Sequence, residues 1–320
     1  MPRLSYQHLD VFTRTPFGGS RLSLFPDAGG VPRRLMQKIA REMGGSETAF
    51  VTGAGPDGAM VLRSFTATGE IPLSGISLLG ATCGLERLGR LRAGTDGARF
   101  RWRTETGCYP VTVTRRDGVP FYAVEYPPAE ILGATFQRER VARALGLPQR
   151  EIVITGLPCE IVSGGLPVHI VPVGSLEAVR TIRPDREAVA ALRRDLGFGD
   201  LFVFTCETES PEADVHCRMF APGFGLPEDP ATGSAVVALL AYMVRHGLVG
   251  GDGTVRIVCE QGLEMGRPSL LYAEAPLRGD VAGPTSVGGH CVLVGEGWLE
   301  TVTLGEVPGE DTDATSPPCP

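Results

Sequence analysis

Glu228-Asp229-Pro230-Ala231-Thr232-Gly233-Ser234-Ala235 decides how this chain is read, because a looser copy stands in the first half as Glu70-Ile71-Pro72-Leu73-Ser74-Gly75-Ile76-Ser77. Aligning Gly75 with Gly233 also aligns Glu70 with Glu228, Pro72 with Pro230 and Ser74 with Thr232. Upstream of each copy lies a basic-x-aromatic segment, Arg63-Ser64-Phe65-Thr66 and Arg218-Met219-Phe220-Ala221. Downstream, Ser77–Leu88 and Ala235–His246 read as helices with almost no polar face. A helix apolar all round must be enclosed, and a wrapping of strands does that. Each copy is therefore a strand, a tight turn and a central helix. Two copies in one chain imply two similar lobes with a site between them.

The rest of the composition narrows the function. A chain of 320 residues is long enough for two cores, and 42% hydrophobic with 21% charged residues is ordinary for a globular protein. The 43 glycines and 26 prolines predict many tight turns between short elements. A net charge of −7, a pI near 5.4 and 7% aromatic residues argue against nucleic acid or an anionic membrane as partner. No apolar run reaches transmembrane length, and Met1-Pro2-Arg3-Leu4 does not lead into a secretory apolar region, so a cytoplasmic location is expected. The eight cysteines and five histidines are scattered without a CxxC pair, a poor metal-ligand pattern, and the thiols read as buried and inert. No glycine-rich dinucleotide fingerprint follows a strand.

Alternation over Tyr6–Thr13 predicts a first strand, and Pro16-Phe17-Gly18-Gly19-Ser20 a turn. Val31–Met43 reads as an amphipathic helix with Leu35, Ile39 and Met43 on one face. Ser46-Glu47-Thr48-Ala49-Phe50-Val51 begins a strand after its glycine stop, and Met60–Thr66 is another. Further short strands are expected at 107–113, 121–126, 168–173, 201–205, 255–259 and 291–295, with peripheral helices at 138–145 and 186–195. The expected division is an N-terminal lobe at 1–122, a C-terminal lobe at 123–303 with terminal strands free to cross between lobes, and a disordered acidic tail at 304–320.

The first amides of each central helix have no intrahelical partner and carry the positive end of the helix dipole. Two such ends would grip an anion, most simply a substrate carboxylate, whereas one alone would read as ordinary capping. Proton-handling candidates near the turns are Asp229, within the second copy, and Glu47. By the residues alone, Glu47 reads as the acid of a solvated loop.

Asp10-Val11-Phe12-Thr13, Pro16-Phe17-Gly18-Gly19, Ser46–Val51, Arg63–Thr66, Glu70-Ile71-Pro72, Arg218–Pro222, the Glu228–Ala235 string, Gln261-Gly262 and Met265–Ser269 together resemble the PhzF-like isomerases of phenazine biosynthesis. The resemblance runs from about Tyr6 to Leu299. It implies an α+β fold like that of diaminopimelate epimerase, each lobe a strongly curved, barrel-like mixed sheet around a central helix. It also implies no cofactor and a homodimer, while the scattered Cys and His leave no metal expected. It makes Glu47 the acid/base and Asp229 a substrate-handling residue, with Gly233 and Ser234 on the substrate carboxylate. Ser74, Gly75, Ile76, Ser77 and Thr232 complete the substrate-binding set. The related epimerases carry a cysteine pair at the two turns, where this chain has Ser74 and Thr232, so a two-thiol racemase is not expected. One departure stands out. The family's AGHP-like turn carries a histidine, and this chain reads Ser74-Gly75-Ile76-Ser77. Ile76 removes a proton carrier and makes the pocket more apolar, which suits a substrate with an alkyl portion.

The expected function is a cofactor-independent isomerase moving a proton and a double bond in a small unsaturated carboxylic or amino acid. Antibiotic or other natural-product biosynthesis, for example of alkylated proline units, is the expected setting. An epimerase or racemase of an amino acid, and a non-catalytic binder of small acids, stay open beside it.

Overall fold

The computed structural model describes residues 3–92, 97–135, 137–196, 200–221 and 226–301. The chain divides into two compact units, one taking residues up to Glu125 and from Gly288 onward, the other Tyr126–Val287. Residues 288–301 group with the first unit. The stretch expected as a tail lies outside the described residues.

In the first unit the elements are β1 (Arg3–Val11), β2 (Ser20–Phe25), α1 (Arg33–Met43), β3 (Glu47–Ala54), β4 (Met60–Phe65), β5 (Glu70–Ile71), α2 (Gly75–Arg87), β6 (Ala98–Thr104), β7 (Gly107–Arg116) and β8 (Val119–Tyr126). The second unit carries β9 (Glu130–Thr135), α3 (Arg138–Leu145), α4 (Arg150–Val153), β10 (Cys159–Ser163), β11 (Pro167–Pro172), α5 (Leu176–Thr181), α6 (Arg186–Leu196), β12 (Leu201–Thr205), β13 (Val215–Ala221), β14 (Leu226–Asp229), α7 (Gly233–Arg245), β15 (Thr254–Gln261), β16 (Ser269–Arg278), β17 (Val281–Ala282) and β18 (Thr285–Gly289). The chain then returns to the first unit as β19 (Cys291–Glu300).

The two ladders share one plan. In the first unit the order is β19-β1-β2-β3-β4-β6-β7-β8, with β2–β3 and β4–β6 parallel and the other neighbours antiparallel. In the second it is β9-β10-β11-β12-β13-β15-β16-β17, with β11–β12 and β13–β15 parallel. The short strands β5 and β14 pair back on β4 and β13, each just before its central helix. The repeated phrase is thus the seam of a repeated topology.

Each sheet is packed on both faces. In the first unit Phe25, Phe50 and Phe65 lie against Leu35, Met36 and Ile39 of α1, with the Phe25 and Phe50 rings stacked at 5.0 Å. The opposite face meets α2, which is buried at every position from Gly75 to Leu85. Small residues there have a steric cause, since a Cβ at Gly80 would stand 2.3 Å from Leu22 Cδ2. In the second unit α3, α5 and α6 cover Val171, Leu201, Val203 and Phe220. α7 is buried at all positions except Ser234, Ala241 and Arg245.

Both central helices start earlier than the apolar pattern suggests, at Gly75 and Gly233, because the turn glycines already belong to the first helical turn. Cys83, Cys159, Cys217 and Cys259 are buried free thiols as expected, but Cys206 is exposed, Cys291 is half-buried and Cys108 is disulfide-bonded. No helix among the described residues is long and apolar enough to cross a membrane.

Candidate active site

Glu47 opens β3, and strand alternation decides which way it points. Thr48 and Phe50 lie on the α1 face of the sheet, so Glu47 and Ala49 take the α2 face, in register with Leu22 and Leu24. The side chain is buried, with 8% of its surface exposed, so the solvated-loop reading of Glu47 is corrected. What it meets is the N-terminus of α2. Ser74, in extended conformation, caps the helix by accepting the Ser77 amide at 3.1 Å. Its hydroxyl then donates to Glu47 Oε2 at 2.5 Å, and the Ser77 hydroxyl donates to the same oxygen at 2.7 Å. Burial pushes the Glu47 carboxyl up, the two hydroxyls and the Ser77 amide pull it down, and the net direction is up. A buried carboxyl held above its ordinary range is a candidate for acid/base work.

The second unit repeats the arrangement with a difference. Thr232 is the N-cap of α7, yet its side chain makes no capping bond among the described residues and donates instead to Asp229 Oδ2 at 2.6 Å. Asp229 ends β14 and is 8% exposed. Gln261, at the end of β15, clamps this turn by donating to the Asp229 carbonyl at 2.7 Å and accepting the Thr232 amide at 3.2 Å. Gly262 follows with φ +79°, and a Cβ there would lie 2.5 Å from the Arg267 carbonyl oxygen and 2.7 Å from that of Pro230. The Ser269 hydroxyl also donates to the Pro230 carbonyl, at 2.7 Å. Gln261-Gly262 and Ser269 are therefore the floor of the Asp229–Thr232 turn.

Among the residues expected in substrate binding, Ser74 and Ser77 are 7% and 0% exposed and give their hydroxyls to Glu47. Gly75 is buried and Ile76 is 6% exposed, in the first turn of α2. Gly233 is buried, whereas Thr232 and Ser234 are half-buried at the start of α7.

The basic-x-aromatic segments also find their partners. Arg63 forks onto Glu70 at 2.8 and 3.0 Å, and Arg218 onto Glu228 at 2.9 and 2.8 Å. In each unit a bidentate ion pair ties the strand before the turn to the first residue of the repeated phrase. Sequence reasoning noted both ends of each fork without joining them. The outer face of the second unit holds one more ionic group. His216 lies between Glu260 at 2.7 Å on Nδ1 and Glu264 at 2.9 Å on Nε2. Burial disfavours its charge, but the two carboxylates outweigh that and raise its pKa to about 9. Among the described residues no group of three or more His, Cys, Asp or Glu is arranged to hold a metal ion.

The chain has relatives. An uncharacterized isomerase of Mesorhizobium japonicum is 34% identical over 307 residues, covering 93% of this chain and 99% of its own. The trans-2,3-dihydro-3-hydroxyanthranilate isomerase of Pseudomonas fluorescens is 32% identical over 296 residues, covering 92% of this chain and 99% of its own. The crystal structure of a Bacillus anthracis phenazine biosynthesis protein of the PhzF family superposes with a TM-score of 0.86 at 24% identity, over 94% of this chain and all of that one, which shows the fold. A family model described as phenazine biosynthesis-like protein matches residues 9–297. With nearly its whole length matched, and with full-length relatives above 30% identity, the chain belongs to the phenazine biosynthesis-like, or PhzF, family.

Proposed function

We propose that this protein is an isomerase that moves a proton, and with it a double bond, in a small unsaturated carboxylic or amino acid, using Glu47 as the acid/base. The observation that carries the reading is the buried Glu47 carboxyl, held at one oxygen by Ser74 and Ser77 and pushed above the ordinary carboxylate range. Relatives of similar length are named isomerases, and one acts on trans-2,3-dihydro-3-hydroxyanthranilate, an unsaturated amino acid. Glu47 takes a proton from one carbon, and the electron pair left behind forms the new double bond. The old double bond then takes the proton back from Glu47 at the distal carbon. The turn amides at Gly75-Ile76 and those at Gly233-Ser234 are each suited to holding a carboxylate and stabilising enolate-like charge, and Asp229 is the second substrate-handling group. Ile76 stands where the family turn carries a histidine, so the substrate is one with an alkyl portion, such as an alkylated proline precursor in natural-product biosynthesis. The working form is a cytoplasmic homodimer that needs no cofactor.

The test is incubation with a panel of small unsaturated acids in D2O, followed by NMR. Deuterium at vinylic or allylic carbons supports the proposal. Exchange confined to an α-carbon indicates epimerisation, and binding without any exchange indicates a binding protein; either result overturns it. Glu47→Gln keeps the shape but not the titrating proton, so turnover should fall by about 10²-fold or more. Wild-type turnover in that variant removes Glu47 from the mechanism.

A further inference from the structure

Two hydroxyls converge on one Glu47 oxygen. Ser74 Oγ and Ser77 Oγ both donate to Oε2, at 2.5 and 2.7 Å. While Glu47 is ionised both hydroxyls must donate, because a carboxylate oxygen has no proton to give. A proton placed on Oε2 would face two donors, so the protonated acid carries its proton on Oε1. We propose that Ser74 and Ser77 are positioning residues that make Oε1 the atom that takes and returns the proton. This rests on the assignment of Glu47 as the acid/base.

The balance of the step follows. Carbon-bound hydrogen leaves as a proton to Oε1 while its bonding pair becomes the new π bond. The original π pair then takes the same proton from Oε1, and Glu47 ends as the carboxylate it began as. Serine hydroxyls do not titrate near neutrality, so they hold and tune the carboxylate without carrying the proton.

Charged groups on the elements around Glu47 point elsewhere. Arg21 of β2 donates to the Gly44 carbonyl, and Arg63 of β4 pairs with Glu70. Asp10 of β1 accepts the Phe17 amide. The α1 cations Arg33, Arg34, Lys38 and Arg41 sit on the sheet's other face, and Glu86 and Arg87 lie at the far end of α2. Among the described residues, burial, the serine hydroxyls and the Ser77 amide are what shift the Glu47 carboxyl.

The experiment is a 13C NMR titration of glutamate-labelled protein, with the Glu47 signal identified by its loss in Glu47→Gln. It needs no substrate, so its outcome is independent of the deuterium test of the proposed reaction. Removing a donor to the charged form raises a carboxyl pKa, so Ser77→Ala should move the Glu47 midpoint up by about one pH unit. Ser74→Gly, a substitution tolerated at an N-cap, should do the same, and the double variant should move it further. Ser74→Thr, which keeps the hydroxyl, should restore the wild-type midpoint. Serines that only capped the helix would change the melting temperature and leave the midpoint in place. Unchanged midpoints in folded Ser77→Ala and Ser74→Gly overturn the proposal, and if Ser77→Ala does not fold, Ser74→Gly alone decides it.

Discussion

Ile76 occupies the second position of α2 with 6% of its surface exposed, one residue from Ser77 and two from Ser74. An imidazole there would be buried without an arranged partner, a penalty of about 1–3 kcal/mol. Ile76→His should therefore lower the melting temperature and weaken binding of whichever acid the deuterium panel identifies. Ile76→Val removes one methylene and should cost about 0.5–1.5 kcal/mol. Calorimetry and ligand titration on the three proteins check both. A histidine variant as stable and as tightly binding as wild type would show that Ile76 has no part in choosing the substrate. At this scale the sequence was informative in part. The Ser74-x-x-Ser77 spacing is a cap signature, and Gly75 marks the turn. That both hydroxyls would reach Glu47, some 27 residues away in sequence at the nearer contact, depended on β3 running beside α2.

At the scale of elements, the fit of α2 against β2 is set by glycine. Gly80→Ala would drive a methyl to 2.3 Å from Leu22 Cδ2, closer than real contacts allow, and to a tight 3.1 Å from Val11 Cγ2. The expected cost is about 1–3 kcal/mol of overpacking, read as a lower urea midpoint with an unchanged slope. A companion change, Leu22→Ala, opens the same place and should recover part of the loss in the double variant, a coupling that distant sites do not show. Elements with strong local signals were legible in the sequence. β12 spans Leu201–Thr205 and α3 spans Arg138–Leu145, because apolar runs and capping glycines bound them. β19 runs to Glu300, well past the short strand expected at 291–295, because it pairs with β1 along nearly its whole length. Its glutamates and glycines, including Gly295, Glu296 and Gly297, hide that from a local pattern.

For the whole molecule, pH acts through His216 and its two carboxylates. The imidazole pKa is raised to about 9, against an ordinary value of 6.5, so its stabilisation is fully present below 6.5 and is lost as pH rises through 9. Glu260 and Glu264 are both shifted down: burial opposes their charge, but the His216 hydrogen bond overcomes it. Their stabilisation is present above the ordinary carboxylate value and lost as pH falls through their lowered values. Stability should therefore form a plateau with separate acid and alkaline losses. His216→Phe leaves the buried Glu260 carboxylate with only the Glu209 and Ser210 amides and takes a partner from half-buried Glu264, so it should cost up to about 3–5 kcal/mol at neutral pH, with the deficit shrinking as pH passes 9. Urea midpoints for both proteins from pH 5 to about 10 measure this, and a constant deficit would contradict the ionic account. None of this was visible in the sequence, where His216 is one of five scattered histidines. Its partners lie 44 and 48 residues away and meet it only because β13 and β15 are parallel neighbours.

The pairing of β1 with β19 has a consequence for biosynthesis. The ribosome makes β1 first and β19 last among the described strands, yet Arg3 sits opposite Glu300 and Val11 opposite Cys291. The first unit cannot finish folding until the strand that closes it has been translated, whereas the second is a continuous segment, Tyr126–Val287, already complete by then. Through most of translation the nascent chain carries β1 with one hydrogen-bonding edge open, the kind of edge that invites mispairing. A released chain ending near residue 287 should thus protect its second unit from protease while its first unit is cut. Extension through Glu300 should close both.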